Sequence, residues 1–204
     1  QSKPLLYGLL LGCMTMLLLH NIVRFAFSRS PSSLWLAICE ALLMASSVLF
    51  LNLLDPWLGQ WHSLQTPGAY LTLLLTGPCG LMFTYSFFAS RGAHRLLKLL
   101  LLDILIIGLG GLLLLFIDSL PLNLITYALV GLASVSILAV SVYHWQKGYR
   151  PARMFAMAMV IFNIGTLVIL PALLGLTLIA PQELVLALMC VVCISGLLMS
   201  FALS

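Results

Sequence analysis

Residues 5–33 read LLYGLLLGCMTMLLLHNIVRFAFSRSPSS. A long apolar run ends beside two arginines, Arg24 and Arg29, and a short polar turn then leads into the next apolar run. A transmembrane helix needs about 20 predominantly apolar residues. This stretch therefore predicts a helix that crosses a membrane and whose basic end stays on the cytoplasmic side.

The charges of the whole chain follow the same rule. Eight of the nine Lys and Arg residues lie in or beside every second gap between apolar runs: Arg24, Arg29, Arg91, Arg95, Lys98, Lys147, Arg150 and Arg153. The intervening gaps contain acids and no Lys or Arg: Asp55, Asp118 and Glu183. A soluble fold has no reason to sort charge by alternate loop, whereas basic loops are retained in the cytoplasm. We predict seven spans, with the N-terminus outside the cell membrane and the C-terminus in the cytoplasm.

The predicted fold class is an all-α membrane protein, a seven-transmembrane helix bundle that forms a single domain over residues 1–204. The chain is 63% hydrophobic and 7% charged, far below the roughly 25% charged residues of soluble domains. Helices are expected because backbone groups in hydrocarbon must bond within their own segment. The spans are predicted at 5–27, 33–54, 67–89, 94–117, 121–145, 152–175 and 182–203. Because both termini lie close to apolar sequence, we expect the chain to be excised from a larger protein.

The sequence contains no recognisable catalytic or metal-binding motif. The four histidines fall at different depths, the five cysteines lie inside spans, and no H-x-x-x-H or H-E-x-x-H occurs. We therefore expect no catalytic residue, no metal and no cofactor in this segment. The net charge of +4 comes from cytoplasmic loops and predicts contact with anionic lipid headgroups of the bilayer, with no nucleic-acid partner.

Polar residues inside the spans are the candidate functional residues, because each costs about 2.5–3.5 kcal/mol on insertion and needs a partner or a task. The candidate intramembrane cluster is His20, Asn21, Arg24, Glu40, Asp103 and Asn163. His20 and Glu40 flank the first cytoplasmic gap at equal distances, both about 10 Å beneath the surface. We predict a His20–Glu40 or an Arg24–Glu40 contact that locks the first hairpin. The contact is either a static packing pair or a bistable signalling element.

Asp103 is expected to pair with Lys98, Arg95 or a donor on a neighbouring helix, and Asn163 to bridge two helices near the bilayer middle. Gly8 and Gly12 are candidates for close helix packing, either within the bundle or in a dimer. Pro78 and Pro171 lie within spans, so kinks are expected there.

The opening motif is Tyr7-Gly8, then Gly12, His20-Asn21 and Arg29 before a short turn and a second span. It resembles the bacterial seven-transmembrane receptors with diverse intracellular signalling modules. The motif covers residues 5–40, and the seven-span plan extends the resemblance across the chain.

The resemblance implies the transmembrane region of a sensor in the bacterial inner membrane. A periplasmic sensory domain and a cytoplasmic signalling domain of the same polypeptide would be its partners, and a homodimer is one expected assembly. The output would be a histidine kinase of a two-component system or, less often, a diguanylate cyclase. The alternative is a small transporter or channel with a polar cavity near Glu40, Asp103 and Asn163.

Overall fold

The computed structural model describes residues 2–51, 53, 65–89, 94–114, 122–173 and 181–203. This part of the chain contains seven helices and no strand. The helices are α1 (Ser2–Ser28), α2 (Pro31–Phe50), α3 (Gln65–Phe88), α4 (His94–Leu114), α5 (Leu122–Gln146), α6 (Arg150–Leu173) and α7 (Pro181–Leu203). Each helix overlaps one predicted span, which confirms the all-α, seven-helix prediction.

The predicted short polar turn between α1 and α2 ends one helix and caps the next. Arg29 adopts the left-handed conformation with φ of 49° and ends α1, and its N–H donates to the Phe25 carbonyl at 2.7 Å. Ser30 then caps α2 by accepting a hydrogen bond from the Ser33 N–H, and Pro31 occupies the first helical turn. Such a serine cap followed by proline satisfies and pre-forms the start of a helix.

The turn between α5 and α6 is a Schellman motif. The Tyr149 N–H donates to the His144 carbonyl at 3.1 Å, and the Gly148 N–H donates to the Trp145 carbonyl at 2.9 Å. Gly148 has φ of 85°, a conformation that glycine adopts without steric cost. The short connection brings α5 and α6 together as antiparallel neighbours.

The predicted end of the second span differs from the structure by four residues. That span was placed at residues 33–54, but α2 ends at Phe50, where Leu51 serves as the C-cap and its N–H donates to the Ser47 carbonyl at 3.0 Å. Asp55 and Pro56, which follow the predicted end, lie outside the described residues.

Five helices surround the centre of the bundle. They are α2, α3, α5, α6 and α7 in that order, and α7 packs against α2 to close the ring. The two remaining helices lie outside it: α1 packs against α2 and α7, and α4 packs against α3 and α5. Stacked aromatic rings fill one part of the core, with the centroid of Phe83 5.2 Å from that of Phe155.

The exterior of the bundle is apolar. Leu5, Met16, Phe27, Leu167 and Phe201 are among the large hydrophobic side chains that are more than half exposed. Five of the described helices are also long and apolar enough to cross a membrane: Leu5–Ser28, Pro31–Phe50, Gly68–Phe88, Ala128–Gln146 and Val185–Leu203. A surface with so many exposed large apolar side chains is suited to lipid, since extended apolar patches are rare on soluble monomers.

Candidate functional site

A buried polar cluster joins α1, α2 and α7, and Asn21 lies at its centre. The Asn21 side chain is fully buried, and its Nδ2 donates to the Glu40 carboxylate, at 3.0 Å from Oε1 and 2.9 Å from Oε2. The same nitrogen lies 3.2 Å from the Leu17 carbonyl of its own helix. Since an amide has two N–H donors, one can bind the carboxylate and the other a second acceptor. The first hairpin is therefore held by an amide–carboxylate contact.

Helix α7 completes the cluster through Ser200 and Gly196. The Ser200 hydroxyl lies 3.1 Å from Asn21 Nδ2, from which it accepts, and 3.4 Å from Asn21 Oδ1, to which it donates. A Cβ atom added at Gly196 would lie 3.3 Å from Glu40 Oε1, so the missing side chain leaves space for the carboxylate. Gly196 and Ser200 are four residues apart and share one face of α7.

Arg24 attaches α7 to α1. Its Nη1 donates to the Ser200 carbonyl at 3.1 Å, while its side chain is half-buried. The arginine therefore adds a second contact between α1 and the residue of α7 that Asn21 also binds.

The predicted partners of Glu40 were wrong, although its role in the hairpin was anticipated. His20 is exposed on the outer side of α1, and Arg24 binds Ser200 instead of the carboxylate. Among the described side chains, no cation lies within ion-pair distance of Glu40, and Asn21 is its hydrogen-bond donor. Consecutive helix positions differ by about 100° in direction, so Asn21 points inward where His20, at nearly the same depth, points outward.

Asn163 bridges two helices as predicted. Its Oδ1 accepts a hydrogen bond from the Ser134 hydroxyl of α5 at 2.7 Å, and its Nδ2 donates to the Met159 carbonyl of α6 at 2.8 Å. Asp103 on α4 is half-buried and has no hydrogen-bond or ion-pair partner among the described side chains. Lys98 is exposed, and the side chain of Arg95 lies outside the described part. The predicted pairing of Asp103 with Lys98 is therefore absent.

The predicted transport cavity is not assembled from its three residues. Glu40 lines the central cavity inside the ring, whereas Asp103 lies on α4, which packs outside the ring against α3 and α5, as far as the described residues show. Asn163 is attached to Ser134, which lines the central cavity with Glu40. The arrangement therefore separates Asp103 from the other two residues.

Gly8 and Gly12 do not mediate close packing within the bundle. A Cβ atom added at either residue would meet nothing within 4 Å, and both glycines face outward or nearly so. Pro78 lies inside α3, which continues to Phe88. Pro171 lies within α6, but its side chain is outside the described part. The hinge role of the two prolines stays a prediction.

His144 lies in the last turn of α5, within the predicted span 121–145. The imidazole is only 3% exposed and stacks on Phe88 with a centroid distance of 4.3 Å and an interplanar angle of 9°. Its Nε2 has no hydrogen-bond partner among the described groups. The Tyr143 ring packs edge-on against the same imidazole, so two aromatic rings bury it.

Ser200 and Gly196 were missed because serine and glycine are frequent in this chain. Their spacing was the available signal, since Gly196-x-x-x-Ser200 is a small-xxx-small pattern of the type that permits close helix contact in membranes. The pattern also lies toward the predicted cytoplasmic end of the last span, at a depth similar to that of Asn21.

A bundle of long helices with an apolar exterior and a few buried interhelical polar contacts defines a multi-pass helical membrane protein. The sequence model of one family, 7TM diverse intracellular signalling, matches residues 3–204. The chain therefore belongs to this family and is a transmembrane signalling module, as the motif in residues 5–40 predicted. Comparisons with curated proteins and with solved structures gave no significant match.

Proposed function

We propose that this bundle relays a periplasmic ligand signal across the bacterial inner membrane to a cytoplasmic output domain of the same polypeptide. The N-terminus would be periplasmic, with a sensory domain before the bundle, and α7 would lead into the output. A histidine kinase of a two-component system is the expected output, ahead of a diguanylate cyclase, and a homodimer is the expected assembly. Catalysis would lie in the output domain and not in this segment.

The observation that carries the proposal is the attachment of α7 to the first hairpin. Asn21 binds both Glu40 and Ser200, and Arg24 binds the Ser200 carbonyl. The contacts to α7 have lengths of 3.1–3.4 Å, so a shift of α7 by one helical turn, about 5.4 Å, would break them. A relay by helix displacement requires contacts that are formed in one position of the helix and broken in the other.

The first prediction concerns Ser200→Ala in the full-length protein reconstituted in proteoliposomes. Loss of the hydroxyl removes the hydrogen bond between Asn21 and α7, so the bound and shifted positions of α7 should differ less in free energy. We expect the ratio of ligand-stimulated to basal output to fall by about fivefold, the lower end of typical coupling energies. The measurement is autophosphorylation, or cyclic dinucleotide synthesis, with and without periplasmic ligand.

Ser47→Ala is the matched control for this prediction. Ser47 is also buried, but its hydroxyl donates to the Leu43 carbonyl of its own helix at 2.9 Å and joins no second helix. A Ser200→Ala protein that folds normally and keeps the wild-type output ratio would contradict a signalling role for the cluster. Equal losses in both variants would show a general effect of removing buried hydroxyl groups.

The second prediction concerns orientation, which depends on the basic residues. Reporter fusions in the α1–α2 turn and the α5–α6 turn should report the cytoplasm, because these turns adjoin Arg24, Arg29, Lys147 and Arg150. A fusion in the connection between α2 and α3 should report the periplasm. Reporters that place the α2–α3 and α5–α6 connections in one compartment would reject the proposed orientation.

A further inference from the structure

A cavity of about 80 Å³ lies at the centre of the bundle and is lined by residues of α2, α3, α5, α6 and α7. One buried water molecule needs about 10–15 Å³, so the space admits a ligand of a few non-hydrogen atoms. Most of its wall is aromatic or apolar, including Phe83, Phe155, Met159, Phe162 and Met199. An apolar cavity with a few polar groups is typical of small-molecule sites.

The hydroxyl groups on the cavity wall already donate their hydrogens elsewhere. Thr84 donates to the Gly80 carbonyl at 2.8 Å, Ser195 to the Val191 carbonyl at 2.8 Å, and Ser134 to Asn163 Oδ1 at 2.7 Å. Thr76 and Cys39 likewise donate to backbone carbonyls. A hydroxyl oxygen that has donated its hydrogen can still accept. These side chains therefore present acceptors to the cavity and no free donor.

Glu40 adds the strongest acceptor to the same wall. Its side chain is only 6% exposed, and its described hydrogen-bond donor, Asn21, approaches from α1, outside the ring. A carboxylate has about four acceptor positions, so capacity remains for a donor inside the cavity. Because no cation among the described residues neutralises it, a charged donor would be favoured there.

We propose that this cavity binds a small primary amine in its alkylammonium form. The ammonium group would donate to Glu40 and to the wall hydroxyl oxygens, while the alkyl part would contact the Phe and Met side chains. An ammonium beside aromatic rings gains a further cation–π attraction. A carboxylate or a carbonyl compound without donors would meet only acceptors and be rejected. This site goes beyond the proposed relay and does not rest on it.

The test uses the full-length protein in phosphatidylcholine nanodiscs, whose lipid headgroups carry no primary amine. Thermal unfolding is measured with increasing n-butylamine, n-butanol or butyrate, since a ligand that binds the folded state raises the unfolding temperature. We expect n-butylamine to raise that temperature at concentrations about tenfold lower than n-butanol, and butyrate to have no effect. A tenfold difference corresponds to one charge-assisted hydrogen bond at the lower end of its range.

Three variants identify the site. Glu40→Gln should weaken butylamine binding about tenfold, whereas Asp103→Asn removes an acid outside the cavity wall and should leave binding unchanged. Ala133→Val narrows the cavity while keeping Glu40, so it should also weaken butylamine binding. If Glu40→Gln does not fold, this variant alone tests whether the amine binds in the cavity.

Several results would overturn the proposal. They are no shift at amine concentrations that leave empty nanodiscs intact, equal shifts with butylamine and butanol, and equal binding by wild type, Glu40→Gln and Ala133→Val. The same shift with Na⁺ would show an inorganic cation site and overturn it as well. Because binding is measured without output activity, failure of the relay would leave these results unaffected.

Discussion

Asn21→Leu should lower the free energy of unfolding by about 2–3 kcal/mol, because it removes the donor to a buried acid. Leucine has the same number of side-chain non-hydrogen atoms and the same branching at Cγ, so the loss reports chemistry more than a cavity. Glu40 would stay buried without its hydrogen-bond donor, and Ser200 would lose its partner on α1. The measurement is equilibrium unfolding by SDS titration in mixed micelles.

A double-mutant cycle with Glu40→Leu makes this prediction specific. Replacing both polar partners by apolar residues of similar shape should be nearly neutral, so Asn21→Leu/Glu40→Leu should be more stable than Asn21→Leu alone. The expected coupling energy is about 1–2 kcal/mol. Thr72→Ala on α3 serves as the control, since the Thr72 hydroxyl donates to the Gly68 and Ala69 carbonyls of its own helix. Additive single effects would show that the amide and the carboxylate do not stabilise the hairpin together.

The sequence predicted how deep the polar residues lie in the membrane better than it predicted the direction in which their side chains point. The gap around Arg24 and Arg29, with the Ser30-Pro31 cap, located the first turn and placed the polar residues of α1 and α2 at a shared depth. To identify Asn21 and not His20 as the partner of Glu40, one must know how α1 is rotated about its axis. In water an apolar stripe marks the buried face of a helix, but in lipid both faces are apolar, so periodicity gives little information on rotation.

The sequence also could not predict which small residues lie in close contact with a neighbouring helix. Gly8 and Gly12 were singled out by their spacing, yet they have no close neighbour, whereas Gly165 and Gly196 lie against other helices. Glycines of both kinds occur in similar apolar surroundings. Which of them permits close approach depends on the tertiary arrangement, and in particular on what the facing helix presents.

Gly165→Ala should lower the free energy of unfolding by about 1–3 kcal/mol, the usual cost of overpacking. An added Cβ would lie 2.5 Å from Val191 Cγ2 and 2.8 Å from Cγ1 on α7. Valine is β-branched and stiff at χ1 in a helix, so its methyl groups cannot rotate away and α6 must move from α7. Because α7 also contacts the first hairpin, the displacement should reduce output in the full-length protein as well.

Gly131→Ala provides the matched control for this substitution, since a Cβ added at Gly131 meets nothing within 4 Å. It should be neutral or stabilising by up to about 1 kcal/mol, as expected for Gly→Ala in a helix. In a Val191→Ala background the facing methyl groups are absent, so Gly165→Ala should cost less there than in the wild type. The same SDS titration measures the wild type, Gly165→Ala, Gly131→Ala, Val191→Ala and Gly165→Ala/Val191→Ala. If Gly165→Ala lowered the free energy of unfolding equally in both backgrounds, the loss would not come from the contact with Val191. The close approach of α6 and α7 would then not contribute to the stability of the bundle.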